Sequence, residues 1–254
     1  MTTSHKILVP FELPDADPVP PVIAELLDSI EVVVLGHYGL PEQTPPSTAR
    51  DQFETGARAE LETLARPFED TTVSTTRLVF GRARDKTIDR VAVEEGCDVI
   101  LTPGRVGAVE RLFVPLRGEA NFDRILSFVG ELLTTNDASV TLFHADVESD
   151  RRPGEELLAD ATDRLVEAGV DADRIGRELA EGADASQSIV DIGAAYDLMI
   201  LGETEPSLRD RILGAVPAQV TSDTDDPAFV VREPRRRGVV SQAICATTDL
   251  EEHR

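Results

Sequence analysis

Residues 197–233 read DLMILGETEPSLRDRILGAVPAQVTSDTDDPAFVVRE. An apolar run ends at Gly202, a polar turn follows, a helix-like segment carries a second glycine at Gly214, and another apolar run closes the stretch. Strand, glycine turn, helix and strand in succession are the closing part of an α/β unit, because apolar runs of strand length separated by a helical segment build parallel sheets. The same layout can cradle a phosphate, since glycines let backbone N–H groups approach an anion at a helix N-terminus.

Upstream, the alternation continues and repeats. Lys6-Ile7-Leu8-Val9-Pro10 and Arg111-Leu112-Phe113-Val114-Pro115 share one pattern: a basic residue, three apolar residues and a proline. Asp98-Val99-Ile100-Leu101 and Asp197-Leu198-Met199-Ile200-Leu201 form a second pair at nearly the same offset of about a hundred residues, the length of a small α/β unit rather than of a solenoid repeat. The chain therefore reads as two related halves.

In the first half the expected strands are 7–10, 31–36, 73–80 and 98–101, with helices over 21–29, 48–66 and 85–95. The second helix shows Phe53, Ala57, Leu61 and Leu64 at helical spacing, with Ser47 as its N-cap and Pro67 as its stop. In the second half strands are expected at 112–116, 139–144, 174–180 and 198–201, with helices over 122–133, 154–168 and 186–195. A further helix over 207–220 and a last strand over 228–232 complete it. The first half lacks that closing pair, because only GRVGAVE (104–110) separates its fourth strand from the next half. The units expected are 1–109, 110–233 and a polar tail, 234–254.

Composition limits the function classes. The chain holds 48 Asp plus Glu against 25 Lys plus Arg, a formal net charge of −23, and Lys6 and Lys86 are its lysines. That pattern resembles a haloarchaeal cytoplasmic protein. Such a surface repels a phosphate backbone, so nucleic acid is not an expected partner. No apolar run approaches the roughly 20 residues of a membrane-spanning helix, and MTTSHKILVPF enters a strand directly, so a cytoplasmic location is expected. Cys97 and Cys245 have no metal-ligand or disulfide spacing, and no P-loop, GxSxG or HExxH motif occurs. His37 and His144 occupy matching places after the second strand of each half and read as inherited packing residues rather than bases.

The segments RLFVPLRGEANFDRILSFVGELL and ASVTLFHADVE, with the ending DLMILG…LGAV…DPAFVVRE, resemble the universal stress protein (UspA) family, here as a tandem pair. The resemblance implies two UspA-like, Rossmann-type units (the adenine nucleotide alpha hydrolase-like fold) with open parallel sheets, in the order 3-2-1-4-5 in the second half. It also implies pairing of units through the last strand and, in one subgroup, ATP binding. ATP-binding members place an acidic residue and a glycine after the first strand, and a glycine turn followed by G-S/T after the fourth. On this chain those positions are Glu12, Gly104 and Gly107 in the first half and Gly118, Gly202 and Gly214 in the second.

The second half departs from the pattern. Arg117 stands at the acidic position, Glu205 replaces a glycine, Ala215 replaces the Ser/Thr, and Pro217 disturbs the helix. Glu203 and Glu205 put carboxylates where phosphates would sit. The expectation is a non-catalytic regulatory or interaction protein with a degenerate nucleotide cleft, no obligatory cofactor, and self-association as a homo-oligomer or an intrachain pseudo-dimer beside a regulatory partner that sequence does not name. An ATP-binding protein or slow ATPase and a transporter-associated regulator are the alternatives.

The charge generates a first prediction. At about 1 M salt the Debye length shrinks to roughly 3 Å and self-repulsion is screened, so the melting temperature should rise steeply between low and molar KCl. A melting temperature flat across that range contradicts the halophilic reading.

Overall fold

The computed structural model describes residues 4–41, 44–69, 74–102, 104–117, 121–146, 152–181, 189, 191–203 and 227–232. Its strands are β1 (Lys6–Leu13), β2 (Glu31–Gly39), β3 (Ser74–Gly81), β4 (Val99–Thr102), β5 (Arg111–Pro115), β6 (Ser139–Asp146), β7 (Ile175–Glu181), β8 (Leu198–Gly202) and β9 (Ala228–Val231). The helices are α1 (Pro21–Leu26), α2 (Pro46–Ala65), α3 (Arg84–Glu95), α4 (Phe122–Thr135) and α5 (Gly154–Glu167).

The nine strands among the described residues join in one sheet, in the order β3-β2-β1-β4-β9-β8-β5-β6-β7. The first four strands follow the order 3-2-1-4, and β5 to β9 follow 3-2-1-4-5. Every described pairing is parallel except β4 with β9. Strand β9 pairs in parallel with β8, as the fifth strand of its own half, and antiparallel with β4, where the first half has no fifth strand of its own. The register sets Val99 against Val231 and Leu101 against Phe229. The two halves thus run in opposite directions across β9.

The strands are apolar on both faces, as a parallel sheet covered on both sides requires. On one face Ile7, Val9, Val32, Val34, Leu112, Val114, Phe229 and Val231 meet Ile23, Leu61, Leu126, Val129, Leu157 and Leu165 of α1, α2, α4 and α5 in a core continuous across both halves. On the other, Leu8, Val33, Leu35 and Ile100 pack against Ile88 and Val91 of α3. There Phe113, Phe143 and Met199 pack against Ile189 and Tyr196 from the segment ahead of β8.

Two local expectations are corrected. Helix α2 starts at Pro46 with Pro45 at the N-cap, and Ser47 lies inside it; the proline ring presets the helical φ and its missing N–H costs nothing in the first turn. Phe53 is not in the buried stripe. It is 36% exposed and stacks on Tyr38 with ring centroids 5.4 Å apart, whereas Ala57, Leu61 and Leu64 are buried. The expected helix over 207–220 lies outside the described residues.

Phe229 is fully buried and meets Phe128 of α4 edge to face at 5.2 Å. Phe229→Ala should therefore cost about 3–5 kcal/mol of stability, measured by denaturant unfolding in molar KCl. A loss under about 1 kcal/mol contradicts a central role for β9.

Candidate functional site

The repeated sequence patterns correspond to repeated contacts. Asp98, just ahead of β4, accepts the Lys6 N–H through Oδ1 at 2.9 Å, and its own N–H donates to the Lys6 carbonyl at 3.1 Å. Asp197, just ahead of β8, accepts the Arg111 N–H through Oδ2 at 2.8 Å and donates to the Arg111 carbonyl at 3.0 Å. In each half an aspartate carboxylate fixes the start of the first strand beside the fourth.

The prolines of the same patterns mark where those strands part. Strand β1 pairs with β2 along its whole length, from Lys6 to Leu13, but with β4 at Ile7 and Leu8 alone. Strand β5 likewise meets β8 at Leu112 and Phe113. Pro10 and Pro115 have no N–H to continue the ladder. Beyond them opens the crevice at the carboxyl ends of the strands, at the point where strand order reverses, the usual ligand position in an open α/β sheet. Because the halves run in opposite directions, the two crevices lie at opposite ends of the sheet.

Glu12 lies near the end of β1, and Gly104 and Gly107 follow the end of the parallel strand β4, so three of the six candidate residues lie toward one end of the sheet. The Glu12 carboxylate is exposed and lies 3.3 Å from Arg84 Nε in the first turn of α3. Residues 104–110 form no helix, so no helix N-terminus follows this glycine turn. Gly107 has no positive φ; among the described residues the glycines that do are Gly96 and Gly169. A side chain at Gly107 would enter open space. Gly107 is therefore not required by backbone conformation.

His37, opposite Glu12 in the β1–β2 register, is buried, and neither ring nitrogen has a hydrogen-bond partner. Burial holds its pKa below the ordinary histidine value. Glu12 opposes that shift, Arg84 adds to it and Asp85 opposes it. His144, its counterpart in the second half, is buried too, with Nδ1 2.8 Å from the Leu116 carbonyl.

The second-half crevice contains Gly202 and Arg117; Gly118 and Gly214, with Glu205, Ala215 and Pro217, lie outside the described residues. Here the expectation for Glu203 is corrected. Its Oε1 is bound by Arg232 Nε at 2.9 Å and Nη2 at 2.7 Å, and Arg232 Nη2 also lies 2.9 Å from Asp89 Oδ1 on α3. Arg232 is 3% exposed. Glu203 thus neutralises a buried guanidinium, which a buried charge requires, instead of presenting a bare carboxylate to a phosphate. The Arg232–Asp89 contact ties the carboxyl end of β9 to the first half.

A third cluster escaped the sequence reading. His5 is buried between Asp98 and Ser127 of α4, and Arg124 of α4 reaches Asp98 at 2.7 Å. Separations of 93 and 122 residues leave no local signal for it. Among the described residues no group of three or more His, Cys, Asp or Glu side chains could hold a metal ion, and no helix is long and apolar enough to cross a membrane.

No protein-family model matches the chain, and no curated protein matches it. Solved structures do. A universal stress protein from Archaeoglobus fulgidus DSM 4304 superposes with a TM-score of 0.60 over 91% of this chain and 97% of that one, at 12% identity. A universal stress protein in complex with cAMP matches 50% of this chain and 98% of its own, at 22% identity and a TM-score of 0.37. One from Archaeoglobus fulgidus in complex with dAMP matches 48% and 97%, at 19% identity and a TM-score of 0.37. The chain carries the universal stress protein fold.

The depressed pKa of His37 has a sign. A ring whose pKa is lowered by burial supports stability above about pH 6.5, its unfolded value, and that support is lost as pH falls toward the folded value. His37→Leu should therefore gain on the wild type as pH drops from about 7 to about 5, read by denaturant midpoints. A difference that stays constant shows that His37 titrates normally.

Proposed function

We propose that the chain is a non-catalytic regulatory or interaction protein of the universal stress type, with degenerate nucleotide clefts. The observation that supports this most is that the carboxylates at both candidate clefts are engaged by the protein's own arginines: Glu203 with Arg232, and Glu12 with Arg84. A nucleotide would have to compete with the first pair inside a buried network that also holds Asp89. In the first half, no helix dipole stands behind Gly104 and Gly107 to favour phosphate.

Adenine-nucleotide binding in the first half is the second reading. It is favoured by the exposure of the Glu12 carboxylate, with 60% of its side chain open to solvent, and by the open space at Gly107. Intracellular partners of the stress response, rather than a substrate, are the class the first reading calls for.

Titration calorimetry with Mg-ATP in molar KCl separates the two. The regulatory reading expects no binding tighter than about millimolar, roughly −4 kcal/mol. Micromolar binding lost on Gly107→Val moves the function to the first-half cleft, and micromolar binding lost on Gly202→Val overturns the degenerate reading of the second.

A further inference from the structure

The cluster around His5 has an order that structural packing alone does not demand. His5 Nδ1 lies 2.7 Å from Asp98 Oδ2, and His5 Nε2 lies 3.1 Å from Ser127 Oγ. The second carboxylate oxygen of Asp98 accepts the Lys6 N–H at 2.9 Å, and Arg124 Nη1 donates to Oδ2 at 2.7 Å. His5 is 1% exposed, while Ser127 stands on the solvent side of α4. Phe128, the next residue, packs edge to face on the His5 ring at 5.4 Å and fixes its plane.

Protonation follows from the partners. Burial acts to raise the pKa of Asp98, but hydrogen bonds from His5, the Lys6 backbone and Arg124 outweigh it and hold the carboxyl below its ordinary value. An ionised carboxylate only accepts, so Nδ1 of His5 must carry a proton toward it. In the neutral ring Nε2 is then the acceptor, and the Ser127 hydroxyl donates to it. Nucleophile, base and orienting carboxylate therefore stand in the sequence that activates a serine, a constellation recognised by geometry rather than by position in the chain.

We propose that Ser127 is a covalent acceptor site for activated acyl groups, with His5 as its general base and Asp98 as the residue that positions His5. In the step, Ser127 Oγ attacks the acyl carbon while its proton passes to His5 Nε2. A new C–O bond forms, the bond from the acyl carbon to the leaving group breaks, and His5 returns the proton to the leaving group. Ser127 lies beyond the first turn of α4, where each backbone N–H is used within the helix, so no backbone oxyanion hole adjoins it. Arg124, three residues earlier, supplies the positive charge on the same helix face. The expected product is a persistent ester, one per chain, which makes Ser127 a modification site compatible with a regulatory protein.

Treating the full chain in molar KCl with p-nitrophenyl acetate, followed by peptide mass spectrometry, tests the proposal. Ser47, also exposed on a helix but away from any histidine in sequence, is the internal reference. General-base assistance should make Ser127 acetylate about a hundredfold faster than Ser47. The adduct should be cleaved by hydroxylamine as an ester is, and so be distinct from amides on Lys6 or Lys86. His5→Gln should bring Ser127 down to the Ser47 rate, and Asp98→Asn should slow it at least about tenfold. Equal labelling of Ser127 and Ser47 in the wild-type protein overturns the proposal whatever the variants do, as does undiminished labelling in a folded His5→Gln protein.

Discussion

Everything in this fold hangs on β9 being shared. A parallel sheet buried on both faces leaves no place for unpaired backbone groups, and the first half ends at β4 with an edge that would otherwise lie open in the middle of the molecule. Four residues, Ala228 to Val231, close that edge antiparallel while closing β8 in parallel. One strand thereby serves as the fifth strand of two half-sheets.

The side chains around that strand reinforce the joint. Arg232 follows β9 directly; its N–H donates to the Asp98 carbonyl at 2.8 Å and its guanidinium spans Glu203 of the second half and Asp89 of the first. Asp98 in turn holds His5 and Lys6 of the first half and Arg124 of the second. Breaking a buried pair of this kind by removing one partner costs several kcal/mol because an uncompensated charge remains. The Arg232 contacts that help weld the halves stand at the carboxyl ends of β8 and β9, beside the second-half crevice.

Much of this was legible in the sequence because the repeat encodes contacts. The Lys6–Pro10 and Arg111–Pro115 patterns set the start and the parting point of the first strand in each half, and Asp98 and Asp197 are the carboxylates that hold those starts. The absence of a closing helix and strand after Leu101 was visible in the shortness of 104–110. What stayed hidden depended on which elements meet across the sheet. Glu203 looked like a bare charge because its partner, Arg232, comes 29 residues later, just past a strand whose double pairing no local pattern states. Phe53 fitted the helical stripe, yet the end of β2 offered it Tyr38 to stack on at the rim instead of a buried slot. Ser127 was one polar residue in an apolar helix until His5 was seen to face it.

Hydrogen exchange resolved by residue in molar KCl tests the sharing of β9 most directly. The account predicts that the amides of Phe229, Val230 and Val231 exchange with the same free energy as those of Val99 and Leu101, equal to global unfolding and independent of protein concentration. Fast exchange across β9 while β4 stays protected, or protection that appears only as concentration rises, would contradict an intrachain fifth strand.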